Sequence, residues 1–288
     1  MTHSNLSLSY NSPIVIGGVG GSGTRLIAEC VNQLGYFLGH DLNAANDNLW
    51  FALLFTRPEI LNSSDEEFNN LVDIYLKGMA GNAQFSTSQI ELINNLVSRE
   101  RFQHSEDWLR ERAESLLANK VNMPANSKWG WKAPNSHIVL DRLIKSFKNM
   151  KYIHVVRNGM DMAFSENQNQ LKMWGQHFIG NECSITPYYS LKYWCITHRR
   201  VQQIGKPMGS NFMFLNYDNF CANPEQGISV LSDFLELSAA QISETSLLEL
   251  IQAPDSIGRF KSYDTELFSE NDIAYVKELG FDTGEQEH

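Results

Sequence analysis

The sequence predicts an α/β fold: a mostly parallel central sheet with a phosphate loop, flanked by helices and interrupted by an α-helical insertion. Three observations lead there. An apolar run, a glycine tract and a helical repeat follow one another between Pro13 and Gly35. A second, near-continuous apolar run, Lys151-Tyr152-Ile153-His154-Val155-Val156, has the composition of a strand buried on both faces. Strand patterns then alternate with helical ones, as parallel strands joined by crossover helices require. The 288 residues, 42% of them hydrophobic, suffice for one large domain, expected over 1–288 with the insertion at about 60–125.

In the first stretch Pro13-Ile14-Val15-Ile16 reads as a short strand, and Gly17 to Arg25 is nearly free of side chains. Leu26, Ile27, Cys30, Val31 and Leu34 then recur at helical spacing until Gly35. Consecutive backbone N–H groups at a helix N-terminus make a cradle suited to phosphate, to which Ser22 and Thr24 add hydroxyls. The nucleotide-hydrolase pattern places Lys after the last glycine, but Gly23 is followed by Thr24-Arg25. The loop therefore lacks the usual reader of β- and γ-phosphates. A glycine-rich turn in an ordinary βα unit is the plain alternative.

Asn43 or Asn46 is expected to cap a helix carrying Leu49, Trp50, Leu53 and Leu54, with Asp41 just upstream of it and Asp47 inside it. From Ser64 to about Lys120 the patterns are all helical, with a cap at Ser86 or Ser88, and the block reads either as a lid over the loop or as a packed layer. Lys128 to Lys132 is a short strand stopped by Pro134, and Ile138, Leu140, Leu143 and Ile144 outline a helix. The strand from Lys151 ends in Arg157, and a helix is expected from about Gly159 through Met173. Tyr188 to Ile204 is a helix, Asn211 to Tyr217 a strand, and Pro224 to Leu235 a helix. Ser256 to Lys261 is a basic loop ahead of a polar C-terminus.

Composition excludes several functions. A formal net charge of −10 gives no footprint for nucleic acid. The polar start has no secretory pattern and no apolar run reaches membrane-span length, so a cytoplasmic protein is expected. Cys30, Cys183, Cys195 and Cys221, scattered without C-x-x-C spacing, are expected as free thiols rather than zinc ligands.

Ligands of open parallel sheets bind beyond the C-terminal strand ends, a rule that gathers Gly20 to Arg25, Lys132 and Arg157. Ser165, eight residues after Arg157, falls about two turns into the next helix on the face of Asp161 and Met162. Arginine and hydroxyl make a second anion site. Two such sites imply a nucleotide with phosphate at both ends.

GGVGGSGTR, WKAP, HVVRNGMDMAFS and IGRFK resemble, in this order, the motifs of sulfotransferases that use 3′-phosphoadenosine-5′-phosphosulfate (PAPS). The resemblance implies that Gly20, Gly21, Ser22, Gly23, Thr24 and Arg25 hold the 5′-phosphosulfate, and Arg157 and Ser165 the 3′-phosphate. Arg259 and Lys261 would close over the nucleotide, and Tyr217 lies in a segment similar to the family's tyrosine-acidic-x-leucine stretch, with Phe220 in place of the leucine. Lys132 resembles the lysine that neutralises charge on the bridging oxygen. The family's base is Glu or His. Asp41 is the nearest counterpart by distance from Thr24, with Asp47, Glu29 and His137 as rivals. Trp50, Trp129, Trp131 and Trp174 line an acceptor pocket or fill the core. PAPS as co-substrate, PAP (adenosine 3′,5′-bisphosphate) as product, no metal and a small-molecule acceptor bearing hydroxyl or amine follow. The competing readings are a P-loop kinase, with Asp218 as a magnesium ligand, and a nucleotide-binding module without turnover.

Overall fold

Strand β1 (Ile14–Gly18) is buried along its whole length, as its apolar sequence demands. The computed structural model to which it belongs describes residues 12–81, 84–98, 101–124, 127–238 and 244–284, so the polar start lies outside the described residues. Helix α1 (Thr24–Gln33) follows the glycine tract, then β2 (Tyr36–Phe37). Two residues carry too little periodicity for the sequence to reveal β2. Helix α2 (Leu49–Phe55) is capped by Asn48, not by Asn43 or Asn46. Asn48 Oδ1 accepts from the Phe51 amide at 3.0 Å and its Nδ2 donates to the Leu38 carbonyl at 3.1 Å. Asn43 instead accepts from the Ala45 and Asp47 amides at 2.9 Å each, folding the loop before the helix. Asp47 thus precedes the cap and is not helical.

The insertion contains α3 (Asp65–Ala80), α4 (Thr87–Val97) and α5 (Glu106–Ala118), capped by Ser64, Ser86 and Ser105; Gln89 completes a capping box with Ser86. After β3 (Lys128–Lys132), a 3-10 turn over Pro134–Val139 leads into α6 (Leu140–Ser146). Strand β4 (Lys151–Val156) is followed by two helices rather than one, α7 (Gly159–Ala163) and α8 (Asn169–Phe178). The break has a side-chain cause: Gln168 Nε2 donates to the carbonyls of Met162 (3.0 Å) and Ser165 (2.7 Å), satisfying acceptors that a continuous helix would use. Then come α9 (Pro187–Gly205), β5 (Phe212–Asn216), α10 (Tyr217–Ala222), α11 (Pro224–Phe234), α12 (Glu244–Leu250) and α13 (Glu270–Glu278). Tyr217 opens α10 instead of ending the strand, because Asn216 Oδ1 accepts from the Asn219 amide and caps the helix there.

The five strands form a parallel sheet in the order β2-β3-β1-β4-β5. Ile16 of β1 is level with Lys132 of β3. The chain divides into two compact units, residues 1–17 with 31–152, and residues 18–30 with 153–288. In the first, Trp50, Trp129 and Trp131 are at most 2% exposed, and Trp50 and Trp131 donate their indole N–H to Ser115 and Ser136. In the second, Trp174 is fully buried. These four tryptophans are core. The four cysteines are free. No helix among the described residues is long and apolar enough to cross a membrane.

Candidate functional site

In the second unit the glycine tract closes into a tight loop. The Ser22 amide donates to the Val19 carbonyl at 3.0 Å, and Gly21 and Gly23 both take φ +92, a region that favours glycine. Gly23 has a further reason: a Cβ there would lie 2.2 Å from ring carbons of Tyr217. Behind the loop, Gln170 Nε2 donates to the Gly18 carbonyl at 3.2 Å. Ser22 is completely buried, and its hydroxyl has no hydrogen-bond partner among the described residues. Thr24 begins α1 and is buried. Arg25 is exposed and pairs with Glu29 one turn on, at 3.0 Å.

Arg157 follows directly on β4, and the Trp194 indole holds its carbonyl at 3.1 Å. Its side chain is only 12% exposed. Nη2 donates to Ser256 Oγ at 2.7 Å, Nε lies 3.8 Å from Asp218 Oδ1, and the guanidinium stands 5.9 Å from the centre of the Tyr217 ring. Tyr217 therefore touches both the glycine loop and the arginine. Burial pushes the Asp218 carboxyl up from its ordinary value, against the pull of the Asn158 amide and of Arg157. Burial likewise pushes the Tyr217 phenol up, so it stays protonated at neutral pH.

Ser165 lies in the break after α7, where its hydroxyl accepts from the Asn167 amide at 3.2 Å; it is not two turns into a helix, and it does not share a helical face with Asp161. The Asp161 carboxylate is buried and binds the Gly258 and Phe260 amides. Arg259, half-buried, opens a 3-10 turn, Arg259–Ser262. Lys261 is exposed and donates to Asp282 Oδ2 at 2.6 Å.

The remaining candidates belong to the first unit. Lys132, at the end of β3, is 3% exposed along its side chain; Nζ donates to Asp47 Oδ1 at 2.5 Å and to the Ala45 carbonyl at 3.1 Å. The Asn48 amide donates to the Lys132 carbonyl at 2.8 Å, which joins the 43–48 loop to the strand end. Asp47 also accepts from Asn43 Nδ2 at 3.0 Å. Asp41 is engaged elsewhere: its Oδ2 accepts from Ser115 Oγ at 2.8 Å and lies 3.4 Å from Arg112 Nε. His137 sits in the 3-10 turn after Pro134, 1% exposed. The structure thus brings Lys132 to Asp47 and Arg157 to Asp218 and Ser256. Asp161, Gln170 and Ser256 had no signal in the sequence beyond their residue type, since each contacts chain about a hundred or more residues away.

The fold and the loop define the class: an α/β protein with a parallel sheet whose first strand runs into a glycine loop at a helix N-terminus. Within that class the chain belongs to the sulfotransferase family, whose model matches residues 13–241. That match ends before the basic loop of Arg259 and Lys261. Among solved structures, the fold is similar to the sulfotransferase domain of the Synechococcus olefin synthase, at 16% identity and TM-score 0.50 over 94% of this chain and 95% of that one. It is equally similar to a sulfotransferase domain from the curacin biosynthetic pathway, at 18% identity and TM-score 0.50 over 94% and 98%. No curated protein sequence matches the chain.

Proposed function

We propose that this protein transfers the sulfuryl group of PAPS to the hydroxyl or amine of a small-molecule acceptor in the cytoplasm, releasing PAP. The observation that carries the reading is the hydroxyl of Ser22 in the glycine loop, fully buried and without a partner among the described residues. An unmatched buried hydroxyl costs on the order of 1–3 kcal/mol, and an anion seated on the loop would satisfy it. Arg157, held in the same unit against Tyr217, supports a second anion position, as a nucleotide phosphorylated at both ends requires. Gly20 to Arg25 would hold the 5′-phosphosulfate, Arg157 and Ser165 the 3′-phosphate, with Tyr217 between them and Arg259 and Lys261 closing from the C-terminal loop. PAPS, when bound, supplies the activated sulfuryl group.

Lys132 would neutralise the negative charge that develops on the leaving oxygen, an electrostatic role that a buried ammonium performs well. Asp47, in direct contact with Lys132, would accept the acceptor's proton as its oxygen or nitrogen forms the new bond to sulfur. Asp47 is preferred to Asp41 because it contacts the proposed catalytic lysine directly; both carboxylates already have partners, Asp41 in Ser115 and Arg112 and Asp47 in Lys132 and Asn43. The net charge of −10 favours a small acceptor over a sulfated polymer.

The test is a thermal-shift series. PAP at a hundred times its dissociation constant should stabilise the fold by about 2.7 kcal/mol. Stronger protection by ATP with Mg²⁺ overturns the assignment and revives a kinase. PAPS turnover over a panel of small acceptors then identifies the substrate.

A further inference from the structure

Asp161 has no part in the anion sites described above, yet it is a carboxylate at 2% exposure with both oxygens engaged. It lies on α7, four residues after Arg157. Its Oδ2 accepts from the Gly258 amide at 2.8 Å and its Oδ1 from the Phe260 amide at 2.9 Å. Those two amides flank Arg259. A carboxylate is costly to bury unless its oxygens are matched, so one that spends both on a loop about a hundred residues away is a fixed clamp on that loop.

We infer that Asp161 is a positioning residue for nucleotide binding: it pins the backbone on either side of Arg259, so that the loop is shaped before any ligand arrives. This rests on the proposed reading that Arg259 closes over the nucleotide, and takes it one step further: in closing, Arg259 meets the 3′-phosphate beside Arg157 and Ser165. Gly258 supports it independently, since its φ of +79 turns the chain sharply into the clamp, and Phe260 anchors the far side at 2% exposure. A loop ordered in advance loses less conformational freedom when it closes on a ligand, and affinity gains accordingly. Because Asp161 lies on α7, four residues after Arg157 in the β4–α7 connection, the clamp ties the loop to the segment that carries the other arginine.

The experiment is a binding cycle with PAP and AMP, combined with hydrogen exchange. Asp161→Asn keeps one acceptor and presents an N–H₂ to an amide that needs an acceptor. It should weaken PAP binding roughly tenfold, the scale of one charge-assisted contact, and change AMP affinity less than twofold. Arg259→Ala should show the same selectivity, and the double variant should bind no worse than Arg259→Ala alone. Without ligand, Asp161→Asn should lose amide protection at residues 256–262 and nowhere else.

Equal losses for PAP and AMP, additive losses in the double variant, or unchanged loop protection overturn the inference. Should Asp161→Asn fail to fold, Gly258→Ala strains the same loop at φ +79 without touching the core; an unselective loss there overturns the inference equally. If the wild-type protein does not bind PAP at all, the nucleotide reading falls, and the exchange data alone decide whether Asp161 shapes the loop.

Discussion

Replacing Arg157 by Ala tests the nucleotide reading most directly. A charge-assisted hydrogen bond contributes about 1.5–3 kcal/mol, or roughly 10- to 150-fold in affinity. The guanidinium is 12% exposed, so solvent screening reduces this little. It is, however, already bonded to Ser256 and lies 3.8 Å from Asp218, and both contacts must be exchanged for a phosphate. The loss should therefore fall toward the lower bound, about tenfold. Isothermal titration with PAP and with adenosine 5′-phosphosulfate, which has no 3′-phosphate, separates the effects: the loss should appear for PAP and nearly vanish for the phosphosulfate. Equal losses would refute the placement of the 3′-phosphate. The same variant has a second signature. Asp218 titrates above its ordinary 3.8 in the folded protein because it is buried, so the folded state holds a proton that the unfolded chain has released. Its contribution to stability therefore falls as pH rises from about 3.8 through the folded value and stays low above it. Arg157 limits that shift, so Arg157→Ala should widen the window, and its destabilisation should be larger at pH 7 than at pH 4. Asp218→Asn should abolish the dependence and tighten PAP binding by removing a competing carboxylate.

Ser22→Ala should leave the melting temperature unchanged or slightly higher, because the hydroxyl has no partner, while weakening PAP binding by about 2- to 10-fold. A stability loss without an affinity loss would remove the hydroxyl from the anion cradle. Lys132→Ala should lower turnover far more than nucleotide affinity, since its charge partner is complete only in the transition state; matched losses in Kd and kcat would contradict this role. Asp47→Asn should reduce turnover by about two orders of magnitude with PAP binding intact, and Asp41→Asn by less. The reverse ranking would return the base to Asp41. Cys30, pushed up to about 12 by burial, and the buried Cys195 and Cys221, also raised, should react with a thiol reagent at pH 8 only after unfolding; half-exposed Cys183 should react first. Fast labelling of Cys30 in the native protein would contradict this burial.

What the sequence made legible depended on whether the signal was local. The glycine loop was readable because positive φ and close approach leave glycine as the residue that fits, and Gly21 and Gly23 occupy such positions. Arg157 was readable because a charge ending an apolar run marks a strand terminus. The split between α7 and α8 was not, since Met160, Met162, Ala163 and Phe164 continue an apolar pattern while the break is made by the Gln168 amide. Asp47 beside Lys132 spans 85 residues of chain, and Asp161 beside Gly258 spans 97, distances at which no periodicity operates. Helix α13 did carry a local signal, a Ser269 cap with Asp272 three residues on and Tyr275 and Val276 buried, which the polar composition of the C-terminus obscured.

The Tyr217 ring, wedged between Gly23 and the Arg157 guanidinium, has a consequence for selectivity by length. An aromatic ring cannot be compressed, so under the proposed placement of the two phosphates it would act as a spacer gauge between the loop and the arginine. In the proposed reading a nucleoside triphosphate, which has no 3′-phosphate, would meet one end of that gauge and leave the other empty. Shortening the spacer, as in Tyr217→Leu, should blur this discrimination before it abolishes binding, leaving a protein that accepts nucleotides of several lengths and prefers none.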